Sequence, residues 1–117
     1  MKTFEELNIW KVSKGLCSRI YSMNNEKYLR DFGFKDQLQR ASLSVMSNIA
    51  EAFERSGNKE FIKFLYYSKG SIGEVRSLLT IALELKYIEK DTFAELHSVC
   101  LDLSKQIANF IKYLKNN

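Results

Sequence analysis

Residues 91–114 read DTFAELHSVCLDLSKQIANFIKYL. Within them Phe93, Leu96, Cys100, Leu103, Ile107, Phe110 and Leu114 follow one another in steps of three and four without a miss. Apolar side chains at that interval line one side of an α-helix. A mean step of about 3.5 is the repeat of helices packed at about +20° in a left-handed sense. Asp91 is expected to cap the start. This stretch predicts helix packed on helix.

The pattern continues upstream. Residues 59–85 form the longest segment, roughly 40 Å if helical throughout. Phe61, Leu65, Ser68, Ile72, Val75, Leu79 and Ala82 make its first stripe. A second stripe, Phe64, Tyr67, Ser71, Leu78, Ile81 and Leu85, lies about 60° around the same helix. Two adjacent apolar rows imply neighbours on more than one side. Residues 34–54 carry Leu38, Ala41, Val45, Ile49 and Ala52 at helical spacing, and Ser56-Gly57-Asn58 is the clearest turn, with Asn58 expected as an N-cap. Residues 7–23 carry Ile9, Leu16, Ile20 and Met23, widened by Trp10, Cys17 and Tyr21, behind a Thr3–Glu6 capping box. Asn24 and Asn25 interrupt that helix. Short connections make an antiparallel, up-down-up-down four-helix bundle the economical arrangement, as one all-α domain over residues 1–117.

Composition agrees. The 117 residues contain no proline and five glycines, which suits long uninterrupted helices. The start, MKTFEEL, has no apolar signal region, and no apolar run reaches about 18 residues. A cytoplasmic chain without membrane spans is expected. Cys17 and Cys100 both fall within apolar helical patterns, as buried free thiols do. His97 is the sole histidine, which removes most hydrolase and metalloenzyme designs.

Polar residues interrupt one stripe. Asn48 sits beside it, with Ser44, Ser71 and Glu74 as candidate partners, while Glu51 and Arg55 stand at the i, i+4 spacing of a helical ion pair. Glu51 or Glu74 acting as a general base would need a shaped, perturbed site that nothing else in the sequence supplies. Bundle di-metal centres use Glu-x-x-His pairs, and none is present. We therefore read Asn48, Glu51, Arg55, Ser71 and Glu74 as structure or assembly. No catalytic residue, metal, cofactor or small-molecule substrate is expected. Gly70 and Gly73, flanked by Ser68 and Ser71, are expected to allow close helix packing. They lie inside strong periodicity and lack the Gly-Lys-Ser/Thr of a phosphate loop.

The net charge of +4 is mildly basic. From Lys105 onward there are Lys105, Lys112 and Lys115 and no acid, a pattern that the helix dipole alone favours. Most aromatics lie on or beside stripes, with Tyr66, Tyr67 and Tyr113 the candidates for exposure.

The pieces QLQRA (Gln37–Ala41), SVMSNIAE (Ser44–Glu51), KEFIKFL (Lys59–Leu65) and GSIGE (Gly70–Glu74) together resemble the bacterial family encoded within intervening sequences of 23S rRNA genes. FEELNIWKVSKGL near the start resembles that family's opening, so the likeness covers nearly the whole chain. Gln39 stands where the family usually has Arg, and Met46 where it often has Pro. Ala52 and Glu54 replace common glycines, and Lys86 replaces the glycine before Tyr-Ile. The resemblance implies a four-helix bundle assembled as a homopentameric ring, and no catalytic residues carry over. The chain is also similar to the accessory protein of diversity-generating retroelements, a pentamer that binds its reverse transcriptase and nucleic acid. Two functions follow as expectations. One is a non-enzymatic oligomer binding RNA or a ribonucleoprotein partner through Lys11, Lys14, Lys105, Lys112 and Lys115. The other is a purely protein-binding scaffold. In either, Phe64, Tyr67, Leu78, Ile81 and Leu85 are the candidates for the subunit interface.

Overall fold

A computed structural model describes residues 2–117. After a 3-10 turn at Phe4–Glu6 come α1 (Asn8–Tyr21), α2 (Glu26–Arg30), α3 (Phe32–Glu54), α4 (Asn58–Glu84) and α5 (Lys90–Lys115). The described residues are all-helical, four long helices and one short one, with no strand. α1 packs on α3 and α5, and α4 packs on the same two. The core between them includes Ile20, Leu38, Val45, Ile49, Leu65, Ile72, Leu79, Leu103 and Ile107, each fully buried. No helix is long and apolar enough to cross a membrane among the described residues.

The stripes differ from expectation in informative places. On α5 the buried row runs Leu96, Cys100, Leu103, Ile107, Ile111 and Leu114, while Phe93 and Phe110 are only half-buried. A straight helix turns every 3.6 residues, so a strict 3.5 repeat drifts by about 20° per heptad. By the last turns the inward position has passed from Phe110 to Ile111. In α1, Ser13 lies in the buried row and Tyr21 does not. Ser13 can enter because its hydroxyl donates to the Ile9 carbonyl. Ser42 and Ser68 are buried on the same terms, donating to Gln39 O at 2.8 Å and, across from α4 to α3, to Val45 O at 2.7 Å.

The caps also depart from the predicted ones. Thr3 makes no side-chain cap bond and stands before the 3-10 turn, so the expected capping box does not form. α1 instead starts after buried Leu7. Gly57, at φ +86°, is the N-cap of α4, and Asn58 is its first residue. The Asn58 amide reaches across to Leu114 O at 3.2 Å, tying the start of α4 to the end of α5. Glu89 rather than Asp91 precedes α5, leaving Asp91 in the first turn where its charge still suits the dipole. α4 ends with Tyr87 N bonded to Ala82 O at 2.8 Å and Lys86 N to Leu83 O at 3.1 Å. These are the two bonds of a Schellman cap, with Lys86 in the left-handed position at φ 62°.

α2 was not expected. Asn25 accepts from Tyr28 N at 3.1 Å and Asp31 from Phe34 N at 3.2 Å, so the polar residues between α1 and α3 start two helices in succession. Tyr28 is thereby driven fully inside, edge-on to Phe34 and Tyr87 at 6.4 and 6.1 Å between centroids. The Tyr87 hydroxyl donates to Asp31 at 2.7 Å and closes this end of the molecule.

Candidate functional site

The polar residues along the α3–α4 seam form bonded sets. Asn48 donates to Ser44 O at 2.9 Å and to Ser44 Oγ at 3.0 Å, and Ser71 donates to Ser44 Oγ at 2.9 Å. Asn48 is half-buried and bonded within its own helix, with Ser44 carrying the connection to α4. Glu74 takes no part in this set; it accepts from Gln37 at 3.4 Å. Glu51 and Arg55 are ion-paired at 2.8 Å, and this bond holds the guanidinium above its ordinary pKa. The same guanidinium lies 4.9 Å over the Phe64 ring, and Phe64 meets Tyr67 edge-on at 5.3 Å. The seam thus joins amide, hydroxyl and cation–π contacts without leaving a free carboxylate aimed at a cavity. Among the described residues no three His, Cys, Asp or Glu side chains converge.

Beside this seam the second stripe of α4 stays largely uncovered. Tyr67 is 50% exposed, Ile81 42% and Leu85 44%, while Phe64 and Leu78 are half-buried. A large apolar side chain costs when left in water, so a row of them on one helix marks a contact surface.

The five candidate lysines do not share one face. All are exposed. Lys14 lies over Trp10 at 5.7 Å on α1, and Lys115 donates to the Tyr66 hydroxyl at 3.0 Å between α5 and α4. Lys105 and Lys112 are two turns apart on α5 and, like Lys11, project from the outer side of their helix. Gly70 and Gly73 correct the packing expectation: nothing in this chain lies within 4 Å of where a Cβ would stand. Two open pockets flank the ends of the molecule. One of about 700 Å³ is lined by Leu7, Phe53, Phe61 and Phe110, and one of about 320 Å³ by Arg19, Asn25, Tyr87 and Glu89. Neither includes a residue of the polar seam.

Residues 5–109 match the model of the 23S rRNA-intervening sequence protein family. The chain belongs to that family. In this chain the GSIGE and SNIAE pieces lie on the α3–α4 seam, where Ser44, Asn48 and Ser71 are bonded together. The fold is similar to that of a crystallised protein with unknown function from the S23 ribosomal protein family of Bacteroides thetaiotaomicron. The TM-score is 0.81 at 21% identity, over 89% of this chain and 98% of that one. No curated protein matches the sequence. Sequence reasoning passed over Arg76, whose charge acts on the buried Cys100 thiol and whose Nε is buried without a hydrogen-bond partner. Charge counting gives the cation, but only the fold tells whether an acid faces it.

Proposed function

We propose that this family member is a non-enzymatic, homo-oligomeric helical bundle that binds RNA or a ribonucleoprotein partner through its basic surface. The observation that carries this reading is the state of the cations. Lys11, Lys14, Lys105, Lys112 and Lys115 are all exposed, and none has a carboxylate partner among the described residues. Unneutralised surface cations favour a polyanion by releasing its condensed counterions. The non-enzymatic part is supported by the seam, whose Asn48, Glu51, Arg55, Ser71 and Glu74 are taken up in bonds to protein groups. A cytoplasmic setting fits two buried free thiols.

The architecture within this proposal is an antiparallel, up-down-up-down, left-handed bundle. Supporting it, Asn8 bonds Gln106 and Arg19 bonds Glu95 between α1 and α5, so residue numbers rise on one helix as they fall on the other. The assembly within this proposal is a homopentameric ring. The exposed Tyr67, Ile81 and Leu85, with Phe64 and Leu78 behind them, supply an apolar surface for a head-to-tail contact that closes on itself. The number five rests on the resemblance. The same apolar row favours the second reading, a purely protein-binding scaffold.

Two measurements test the proposal. Light scattering coupled to size exclusion is expected to give a mass five times the 13.7 kDa chain. Affinity for RNA is expected to fall linearly with log salt. A folded monomer at micromolar concentration refutes the ring, and the absence of salt-dependent RNA binding favours the scaffold.

A further inference from the structure

The carboxylates of α4 and α5 are not spread evenly around those helices. Glu74 meets Gln37 of α3, and Glu60 lies toward Arg55 at the end of α3. On α5, Glu95 pairs with Arg19 of α1 at 2.7 Å. Asp102 accepts from Gln106, which in turn accepts from Asn8 of α1. Glu60, Glu74, Glu95 and Asp102 therefore turn toward α3 and α1, while Glu84, at the end of α4 and about five turns from Tyr66, is the acid on the other side.

The side where α4 and α5 meet is marked by the Lys115–Tyr66 bond, and the charge of Arg76 on α4 acts on Cys100 of α5. Helical steps of three and four from those contacts bring Lys59 and Lys69 of α4, and Lys105 and Lys112 of α5, to the same side. None of these cations is in an ion pair among the described residues. Arg76 differs from its own kind. Arg19, Arg30, Arg40 and Arg55 each pair with a carboxylate, whereas Arg76 has none and its buried Nε is unpartnered. An unpaired guanidinium at the surface end of such a side chain favours a phosphate oxygen.

On the outer side of α4, next to Lys69, the surface is smooth. Gly70 and Gly73 are exposed along it with open space above them, and the Tyr66 ring at 48% exposure stands at its basic end. Phe64 and Ser71 turn the candidate row of α4 toward α3 and away from this side.

We infer that the α4–α5 face docks single-stranded RNA, with phosphates along Lys69, Arg76, Lys105, Lys112 and Lys115 and a base stacked on Tyr66. This rests on the nucleic-acid reading above and specifies its face and strand form. Phosphates supply sequence-independent affinity that salt weakens, and a tyrosine ring accepts any base on its π-face.

The test titrates the full chain into labelled oligouridine and into an RNA duplex of equal length, over a range of salt. Arg76→Gln and the double variant Lys105→Gln/Lys112→Gln are expected to weaken binding and to reduce the log–log salt slope by about one per cation removed. Tyr66→Leu is expected to lose about 5- to 100-fold, and Tyr66→Phe to retain wild-type affinity. Lys27→Gln, on α2, leaves affinity unchanged. Circular dichroism checks that each variant is folded, and the exposed-lysine pair keeps the test decisive should Arg76→Gln unfold. Binding that survives every α4–α5 variant but is lost in Lys11→Gln/Lys14→Gln overturns this face while leaving the nucleic-acid reading intact. A duplex bound as tightly as the single strand overturns the strand form. Wild-type protein that binds neither RNA overturns the reading on which this inference rests.

Discussion

Cys100 and Tyr28 are ionisable groups held neutral inside apolar packing. Burial pushes the Cys100 thiol up to about 11, against a smaller opposing pull from Arg76. Burial likewise pushes the Tyr28 hydroxyl up to about 12, with Gln39 acting the other way. In both cases the folded-state value lies above the unfolded one, so the unfolded chain loses its proton first as pH rises. The stability these groups contribute is therefore whole below about pH 9 and is lost progressively as pH climbs toward 12. Urea titrations at stepped pH are expected to show a falling unfolding free energy over that window. In Cys100→Ala the fall should be shallower and begin only near pH 10, where Tyr28 starts to titrate in the unfolded chain, and an unchanged curve would show that the thiol titrates as a solvated group. Both buried cysteines are also expected to resist alkylation in the native protein and to react after unfolding.

The helices themselves carry two further tests. Lys86 occupies the left-handed cap position after α4, where the family resemblance has glycine and where a side chain costs about 1 kcal/mol. Lys86→Gly is expected to raise stability by roughly 0.5–1 kcal/mol, seen as a higher denaturation midpoint with an unchanged slope. On α5, Leu103→Ala or Ile107→Ala should cost about 2–5 kcal/mol, while the change of exposed Lys90 to Ala should stay within about 0.5 kcal/mol. Long helices were legible beforehand because their buried rows repeat many times; α3, α4 and α5 lie close to where the pattern placed them. α2 was not legible, since five residues contain too little periodicity to register and its order comes from Tyr28 packing on Phe34 and Tyr87. Cap choice was also misjudged at Thr3, Asn58 and Asp91, where several residues nearby were chemically able to cap. At the candidate site the sequence disclosed the pairing of Glu51 with Arg55 and the apolar second stripe. It hid the openness around Gly70 and Gly73 and the unpaired state of Arg76, because both depend on which side of a helix its neighbours occupy.

At the scale of the molecule, the uncovered row of α4 makes assembly sensitive to one charge. Ile81→Lys is expected to shift the mass from oligomer to monomer in light scattering with helical content retained, since Ile81 lies outside the core of the single chain. If the oligomer survived that change, the contact would have to lie elsewhere. The connections described above also set an order of events. Only residues 55–57 separate α3 from α4, so closing that hairpin takes little chain entropy. The contacts of α1 with α5 join Asn8 to Gln106 and must span most of the sequence. α3 and α4 are accordingly the first pair expected to form and the last to open. Native-state hydrogen exchange should find α1 amides opening at lower free energy than those in the middle of α4. During synthesis the dependence becomes a matter of waiting. α1 leaves the ribosome early and meets α3 soon afterwards, but the side it presents to α5 stays bare until residues near Gln106 have been made. For that interval the nascent chain carries an unshielded apolar edge, and its shielding depends on how fast the ribosome finishes α5.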